Sequence, residues 1–384
     1  MSSREERFET KVVHAGEPRP RIQGSVCMPI FQSATFEYAG EGRYDDVRYL
    51  RINNTPNQLA LHAKLAALEG SEAALVTASG MAAISTTLLT VLSGGDHLLA
   101  QSCLYGGTRD FLVGDFPRLG LHVSFIDADA PASWRAQLRP TTRAIYVESM
   151  TNPLLEVCDL EAVVEFARAH GLVSIIDNTF ASPVNYRPIE AGFDLCLHSA
   201  TKYLNGHTDL VAGAICGRAE LVERIRHRLN MLGGSLDPHA AFLLNRGLMT
   251  LALRVRCQNE SALTIARFLA AHPAVDQVNY AGLESHPRHA RARSLFAGFG
   301  GVLSFELEGG AARAEEFCRR VRIPAVAPSL GGVHTLLTRP ATTSHAGLTP
   351  AERQQLGIGE GLLRLSVGIE STDDLLEDIA QALA

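Results

Sequence analysis

The sequence lacks any run of eighteen consecutive apolar residues, so no segment is expected to cross a membrane. Its first residues, MSSREERFETK, are polar and charged and contain no apolar core of a signal peptide. Its seven cysteines are odd in number and widely spread, and no two of them form a C-x-x-C pair. That usage is typical of a reduced intracellular protein without a disulfide framework. We therefore predict a cytoplasmic protein.

A strong charge of either sign is also missing. The net charge of −6 on 384 residues gives no general attraction to nucleic acid or to anionic membranes. Two local basic runs, Arg224–Arg228 and Arg288–Arg293, are interpreted as solvated faces of helices. We expect neither nucleic acid nor a membrane among the partners.

Several catalytic motifs are absent. The sequence contains no G-x-G-x-x-G, P-loop, H-E-x-x-H or G-x-S-x-G motif, which argues against the dinucleotide, nucleotide-hydrolysing, zinc-protease and serine-hydrolase classes that carry them. His286 and His289 have metal-like spacing in HPRH, but without a third ligand they are interpreted as part of a surface loop. No metal site is predicted.

Strand-like and helical patterns alternate through the first two thirds of the chain. Helical patterns cover Asn57–Leu68, Gly80–Leu92, Tyr105–Phe116 and Leu160–His170. The strand-like runs are Ala74–Thr77, His97–Gln101, His122–Ile126, Ala144–Glu148, Leu172–Asp177, Phe193–Leu197 and Val211–Cys216. Such alternation predicts an α/β fold with a mostly parallel sheet that helices cover on both faces. Ligands bind such sheets at the carboxyl ends of the strands.

The pattern changes after about residue 240. A long helical region, His239–Ala271, is followed by strand-like runs and a closing helix, in the order Val275–Tyr280, Val302–Glu306, Ala311–Val321 (helical), Leu362–Val367 and Thr372–Leu383 (helical). We predict an N-terminal arm (1–50), a large domain (51–240) and a smaller α+β domain (241–384). The arm lacks sustained helical periodicity, and we expect it to pack on a neighbouring subunit.

Chemistry concentrates in FDLCLHSATKYLNGHTDLVAG (193–213), where Lys202 follows an apolar strand. Asp177 ends another strand just upstream, and the hydroxyls of Ser199 and Thr201 lie close to the lysine in sequence. An amine, a carboxylate and hydroxyls suit a cofactor with an aldehyde, a pyridine nitrogen and a phosphate, which is pyridoxal 5′-phosphate. Lys202 would form the Schiff base, and Asp177 would keep the pyridine nitrogen protonated.

Eight motifs in a fixed order carry a resemblance to a known family. They are ASGMAAI (78–84), LYGGT (104–108), TNP (151–153), IDNTFASP (176–183), HSATKYLNGHTD (198–209), RGLMTLALR (246–254), SLGG (329–332) and LRLSVGIE (363–370). From Val26 to the C-terminus the chain resembles the Cys/Met-metabolism family of pyridoxal-phosphate enzymes. That family includes cystathionine γ-lyase, cystathionine γ-synthase, cystathionine β-lyase and methionine γ-lyase. The resemblance implies the fold-type I transferase architecture.

The resemblance also implies a role for each matching residue. Lys202 would carry the cofactor and move protons, while Tyr105 would stack on the pyridine ring and assist proton transfer. The remaining cofactor contacts would come from Asp177, Thr179, Gly80, Met81, Ser199 and Thr201, and across a subunit boundary from Tyr49 and Arg51. Asn152, Ser329 and Arg364 would hold the substrate's α-carboxylate. These shared contacts imply a homo-oligomer, with a tetramer built as a dimer of dimers expected.

Departures from the family pattern concern the far end of the substrate. Asp110 stands where cystathionine enzymes often carry an arginine, and Arg48, Pro328 and His334 replace glutamates of relatives. We hypothesise that Asp110 disfavours a distal carboxylate and tolerates a neutral or cationic tail. Arg109 or Arg48 could instead neutralise Asp110 and restore carboxylate binding.

The predicted activity is γ-elimination or γ-replacement on a small amino-acid substrate of the cystathionine, methionine or homoserine-ester class. A cationic substrate such as canavanine and β-elimination from cystathionine stay open as alternatives. An aminotransferase would also use a lysine and an aspartate but lacks this combination of motifs. A non-catalytic protein on the same fold would be expected to lose Lys202 or Tyr105, and both are present.

Overall fold

The computed structural model describes residues 6–38, 40, 42, 44–344 and 346–384. A seven-stranded sheet forms the centre of its larger part, in the spatial order β1-β7-β6-β5-β4-β2-β3. Only β7 is antiparallel to its neighbours, which confirms the mostly parallel sheet. The strands are β1 Ala73–Thr77, β2 His97–Gln101, β3 His122–Ile126, β4 Thr142–Glu148, β5 Val173–Asp177, β6 Leu195–Ser199 and β7 Gly213–Gly217.

Helices cover this sheet and extend into the C-terminal part. They are α1 Phe8–His14, α2 Pro56–Glu69, α3 Gly80–Val91, α4 Gly106–Asp110, α5 Pro131–Trp134, α6 Leu160–His170, α7 Ser182–Asn185, α8 Ala219–Leu232, α9 Pro238–Leu248, α10 Leu251–Ala270, α11 His289–Leu295, α12 Gly310–Arg320, α13 Pro350–Gln355 and α14 Thr372–Leu383. Local residues determine where α6 begins and ends. The Asp159 side chain caps its start by accepting from the Ala162 amide at 3.0 Å, and Gly171 ends it in the left-handed conformation at φ +64°.

The sheet is buried on both faces because its side chains alternate between two cores. On β4, Ile145 and Val147 join the core on one face, while Ala144 and Tyr146 join the core on the other. All four side chains have no exposed surface. A parallel sheet with both faces covered therefore leaves its strand ends as the places where polar side chains can meet.

A second, smaller sheet lies in the C-terminal part, in the order β10-β11-β12-β9-β8. Its strands are β8 Val275–Asn279, β9 Val302–Leu307, β10 Ala325–Val326, β11 Leu336–Thr338 and β12 Leu362–Ser366. One apolar core joins these strands to α10, α12 and α14 through residues such as Ile265, Phe317 and Ile379. The predicted smaller α+β unit is thus present; the exact domain bounds stay predictions.

The structure differs from the sequence-based expectation in local details. The helical region expected over His239–Ala271 is two helices, α9 and α10, because Thr250 has a non-helical backbone (φ −107°, ψ 5°). The helix expected over Tyr105–Phe116 is α4 followed by a π-helical turn, Phe111–Asp115. The short strands β10 and β11 were not predicted, because two or three residues are too few to show the alternation of apolar and polar side chains that indicates a strand.

Two interpretations of basic and histidine-rich segments are wrong in part. In the run Arg288–Arg293, Arg288 Nε donates to Asp129 Oδ2 at 2.7 Å, and Arg291 donates to the Val157 carbonyl at 2.9 Å and to Asp129. This run ties the C-terminal part to the loop after β3 instead of being wholly solvated. The His286 side chain is buried, so HPRH is not simply a surface loop.

Two further findings bear on the class of protein. None of the described helices is both long and apolar enough to cross a membrane. All seven cysteines lie in the described part of the chain and are free thiols. Cys196 and Cys216 face each other across β6 and β7 with no exposed surface, so they pack as small apolar side chains.

Candidate active site

A cavity of about 700 Å³ lies where the carboxyl ends of β4, β5 and β6 face the smaller sheet. Glu148, Asp177 and Ser199 are the last residues of those strands, and the smaller sheet contributes Thr338 and Arg364. The complete lining is Ser79, Gly80, Met81, Ile84, Tyr105, Glu148, Met150, Asn152, Asp177, Thr179, Phe180, Ser199, Thr201, Lys202, Val211, Pro328, Ser329, Leu330, Thr338, Thr343, Ser344 and Arg364.

Lys202 lies in a tight turn directly after β6. Its amide donates to the Ser199 carbonyl at 3.1 Å, and its carbonyl accepts from the Gly206 amide at 2.7 Å. Its Nζ donates to Ser329 Oγ at 2.7 Å. Burial, and secondly the charge of Arg364, lower the pKa of Lys202 to about 8. A larger fraction of neutral amine near neutral pH is what attack on an aldehyde requires.

Asp177 ends β5 and is buried. Its Oδ1 accepts from the Thr179 amide at 2.9 Å and from the Thr179 hydroxyl at 2.5 Å. The same hydroxyl accepts from the Ser199 amide at 2.8 Å, so Thr179 links the ends of β5 and β6. Burial raises the pKa of Asp177, although the two bonds from Thr179 oppose that shift. A cation beside this carboxylate would offset its burial, and a protonated pyridine nitrogen supplies one.

The start of α3 lines the same cavity as Lys202. The Ser79 side chain caps this twelve-residue helix by accepting from the Ala82 amide at 3.0 Å. The first amides of the helix, on Gly80 and Met81, have no acceptor within the helix and suit a phosphate. Ser199 packs so closely that a Cβ at Gly80 would lie 2.9 Å from the Ser199 Cβ. The donor set therefore fits a phosphate, and with Lys202 it fits pyridoxal phosphate.

Tyr105 lies at the mouth of the cavity with 49% of its surface exposed. Its amide donates to Glu148 Oε1 at 2.7 Å, which fixes the backbone just before α4. A Cβ at Gly107 would lie 2.8 Å from the Tyr105 ring, so only glycine accepts the ring in this position. The ring is thus placed where it can cover a flat cofactor.

Arg364 lines the cavity from β12 of the smaller sheet. Its Nη1 donates to Asn152 Oδ1 at 2.9 Å and its Nη2 donates to the Ser329 carbonyl at 2.8 Å. Its Nε is buried and has no partner in the described part of the chain. Ser329 adopts the left-handed region at φ +92°, a strained conformation of the kind found at binding sites. A bound carboxylate would supply the acceptor that Nε lacks.

Three of the predicted site residues are not brought to this cavity. Arg51 Nη1 donates to the Asn230 carbonyl at 2.7 Å and Nη2 to the Tyr44 hydroxyl at 2.9 Å, and neither Arg51 nor Tyr49 lines the cavity. Asp110 is exposed at the end of α4 and does not line it either. Placing Asp110 among the substrate-binding residues therefore has no support from this chain's own cavity.

Sequence reasoning also missed residues that do line the cavity. Glu148 is the most important, and it carries the same signal that singled out Asp177: an acidic residue that ends a buried parallel strand. Met150 and Phe180 lie two and three residues after the ends of β4 and β5, and both line the cavity. Thr338, Thr343 and Ser344 come from the smaller sheet and its following loop, and no local pattern indicates them.

Within the described residues, one buried group has side chains typical of metal ligands: Glu69, Cys196 and His198. His198 Nε2 lies 2.5 Å from Glu69 Oε1 and 3.3 Å from Cys196 Sγ. Ligand atoms around one zinc ion, each about 2.0–2.3 Å from it, stand well over 3 Å apart in a tetrahedron. The short contact from His198 to Glu69 is therefore a buried hydrogen bond.

An amine, a buried carboxylate and a helix N-terminus around one cavity, with an arginine opposite, define a pyridoxal-phosphate enzyme that acts on amino acids. The comparisons with known proteins agree. The family described as Cys/Met metabolism PLP-dependent enzyme matches residues 9–384, and the chain belongs to it. Its cofactor is therefore pyridoxal 5′-phosphate, and its activity falls within the carbon–sulfur lyase and synthase reactions of that family.

Individual relatives cover nearly the whole chain. Cystathionine gamma-lyase of Bacillus subtilis is 40% identical over 376 residues, which cover 98% of each chain. L-methionine gamma-lyase of Pseudomonas putida is 41% identical over 390 residues, covering 98% of this chain and 97% of the relative. The solved structure of cystathionine gamma-lyase from Lactobacillus plantarum complexed with L-serine superposes with a TM-score of 0.93 at 37% identity, covering 98% of both chains.

Proposed function

We propose that this protein eliminates the γ-substituent of an amino acid of the cystathionine, methionine or homoserine-ester class. The observation that carries the proposal is the contact of Lys202 Nζ with Ser329 Oγ at 2.7 Å, beside the Arg364 side chain. An amino acid whose carboxylate binds Arg364 has its α-carbon within reach of a base on Lys202. Relatives that carry γ-lyase names support this reading.

Each side chain in the cavity has a distinct proposed role in the reaction. When bound, pyridoxal phosphate withdraws electrons from the substrate's α-carbon and so acidifies the protons on its α- and β-carbons. Lys202 takes the α-proton and returns protons at neighbouring carbons, which its pKa of about 8 suits. Asp177 holds the proton on the pyridine nitrogen, and Arg364 orients the carboxylate. Tyr105 covers the mouth and exchanges a proton with the departing group.

The substrate's tail meets neutral surroundings in this chain. The carboxyl, amine and guanidinium groups in the described lining belong to Glu148, Asp177, Lys202 and Arg364, and the last three already serve the cofactor and the α-carboxylate. The remaining walls are hydroxyl, aliphatic and aromatic. Asp110 lies outside the cavity, so it does not favour a cationic tail such as that of canavanine. We propose a neutral tail, as in methionine or an acylated homoserine.

A second candidate reaction is β-elimination. Cystathionine beta-lyase of Lactococcus lactis is 39% identical over 377 residues, which cover 98% of each chain. Lys202 and Arg364 would play the same parts, with the leaving group on the β-carbon instead. The products distinguish the two reactions: cystathionine yields cysteine by γ-elimination and homocysteine by β-elimination.

We further propose that two subunits complete each active site. Tyr49 and Arg51 lie outside their own chain's cavity, although the family resemblance assigns them to the cofactor's phosphate. The surrounding arm exposes large apolar side chains, with Val26 81% exposed and Tyr44 61% exposed. An arm of this kind fits packing against a second copy of the chain. A dimer is the smallest assembly that satisfies this, and a tetramer is expected.

The deciding experiment is a substrate panel on the purified, cofactor-loaded protein. Methionine, cystathionine, O-acetylhomoserine and cysteine are assayed for α-keto acid, ammonia and released thiol. We expect keto acid and ammonia in equal amounts from a γ-substituted substrate, and none from Lys202→Ala. Transfer of an amino group to 2-oxoglutarate without elimination would contradict the proposal and favour an aminotransferase.

A further inference from the structure

Glu148 is an ionisable residue of the cavity to which the proposed function assigns no role. Its side chain reaches the cavity from the end of β4, and the residue is only 5% exposed. Its Oε1 accepts one hydrogen bond, from the Tyr105 amide at 2.7 Å. Its own amide donates to Gln101 Oε1 at 2.9 Å, so its backbone is fixed as well.

Glu148 and Asp177 are neighbours across the sheet. They are paired in the parallel register of β4 and β5, so their side chains leave the same face of the sheet at the same level. Adjacent parallel strands lie about 4.8 Å apart. Two carboxyl groups are therefore brought side by side in a cavity that shields them from water. Close carboxylates of this kind do not both ionise easily, and one of the two retains a proton.

The hydrogen-bond donors decide which one keeps the proton. Asp177 receives two donors from Thr179, the amide and the hydroxyl. Glu148 receives one donor, the Tyr105 amide. Donors stabilise a carboxylate, and a protonated pyridine nitrogen paired with Asp177 would add to the difference. The negative charge therefore belongs on Asp177 and the proton on Glu148.

We propose that Glu148 is an uncharged carboxylic acid in the working enzyme and acts as a positioning residue. One of its oxygens holds the backbone of Tyr105, and its neutrality leaves Asp177 as the single anion beside the pyridine nitrogen. The proposal rests on the proposed function for the role of Tyr105 and of Asp177. Its protonation state can be tested independently of any substrate.

The surrounding groups agree with this assignment. Burial, and secondly the charge of Asp177, raise the pKa of Glu148 to about 8. Burial also raises the pKa of Cys103 and of Cys158 to about 12, and that of Tyr146 well above its usual value. These neighbours stay uncharged near pH 8, so Asp177 is the ionised group that faces Glu148 most closely. The pKa of Lys202 in the same cavity is also lowered to about 8. An ionisation near pH 8 is therefore assigned to Glu148 only when it disappears in a Glu148 variant and persists in Lys202→Ala.

The first test compares the holoenzyme of Glu148→Gln with wild type. Glutamine has the shape of the protonated acid and is likewise uncharged. We therefore expect the dissociation constant of the cofactor to change by less than about twofold and the visible absorption maximum to stay the same. Because wild-type Glu148 takes up a proton on folding between about pH 4.5 and 8, the melting temperature of Glu148→Gln should gain on wild type as the pH rises through that window. Glu165→Gln, an exposed site on α6, is the matched control for the loss of a carboxyl group.

A second measurement uses the wild-type protein alone, so it does not depend on whether a variant folds. The infrared spectrum of the wild-type holoenzyme at pH 7 should contain the carbonyl band of a protonated carboxylic acid, and this band should be about half lost at pH 8 and vanish well above it. A missing band, a tenfold or larger loss of cofactor affinity in Glu148→Gln, or a melting difference independent of pH would each overturn the proposal. An enzyme that turned over none of the substrate panel would refute the proposed function yet leave these three results intact.

Discussion

Lys202 Nζ and Ser329 Oγ are joined by a 2.7 Å hydrogen bond although 127 residues separate them in the chain. Lys202 follows β6 of the large sheet, and Ser329 lies in the segment between β10 and β11 of the smaller one. The bond therefore closes the cavity between the two sheets at the point where an amine is needed. Ser329 is held on its other side by Arg364, whose Nη2 binds its carbonyl at 2.8 Å.

The burial of Lys202 and the nearby charge of Arg364 predict the pH dependence of cofactor capture. The pKa of Lys202 is lowered to about 8, so the amine is mostly charged below that pH and mostly neutral above it. Since only the neutral amine attacks the aldehyde, the rate at which cofactor-free protein binds pyridoxal phosphate covalently should rise about tenfold per pH unit up to pH 8 and then level off. Stopped-flow absorbance from pH 6 to 10 measures it. A rate that keeps rising to pH 10 would show an ordinary lysine.

Replacing Ser329 distinguishes its side-chain contact with Lys202 from its backbone contact with Arg364. Ser329→Ala removes the acceptor of Lys202 Nζ but leaves the carbonyl that binds Arg364. We expect kcat/KM to fall roughly 10-fold or more through lost alignment of the amine, as a lost hydrogen bond to a charged group costs about 1.5–3 kcal/mol. Ser294→Ala, on the exposed surface, is the control. Unchanged kcat/KM in Ser329→Ala would mean that the contact is incidental.

Arg364→Lys tests the carboxylate site. Lysine keeps the positive charge but loses the planar fork that reaches Asn152 and the Ser329 carbonyl together. We expect KM for the amino-acid substrate to rise about 10- to 100-fold, while the visible spectrum of the bound cofactor stays nearly the same. Steady-state kinetics and absorbance give both quantities. A loss of cofactor with unchanged KM would place Arg364 at the cofactor instead.

Subunit complementation tests the shared active site. Arg51→Ala and Lys202→Ala proteins should each be inactive, because each lacks one half of the same composite site. After unfolding and refolding them together in equal amounts, each mixed dimer should regain up to about half of wild-type activity, since one of its two sites carries both native residues. Because random pairing makes about half of the dimers mixed, the whole preparation should regain up to about a quarter. The number of mixed dimers is counted by native mass spectrometry. Mixed dimers without activity would assign Tyr49 and Arg51 to their own subunit.

Asp110 provides a test of the substrate's far end. Since Asp110 is exposed outside the cavity, Asp110→Ala should change kcat/KM for methionine and for cystathionine by less than about twofold, and Asp110→Arg should not improve cystathionine selectively. Wild type should prefer the neutral tail of methionine to the charged tail of cystathionine. A marked gain for cystathionine in Asp110→Arg would restore the idea that this position faces the substrate.

The local pattern of the sequence was sufficient for the elements that depend on near neighbours. Apolar runs of the right length predicted all seven strands of the large sheet, because most of their side chains are buried, those of the edge strand β3 excepted. The strand-end positions of Asp177 and Lys202 followed from the same pattern, since parallel strands end at a common edge. The closing helix Thr372–Leu383 was predicted to the residue, and the Ser371 side chain caps its start by accepting from the Asp374 amide.

Only the tertiary structure decided which distant residues meet. No local pattern places Arg364 against Asn152, or Glu148 beside Asp177, because strand register and the closure of the second sheet arise from packing across the whole chain. The same holds for Asp110, which a motif position assigned to the substrate and which the course of α4 directs to solvent. The cofactor's partners are thus encoded at strand ends and a helix start, where sequence is informative. The substrate's surroundings are assembled from loops of two separate sheets, whose meeting is a property of the folded chain.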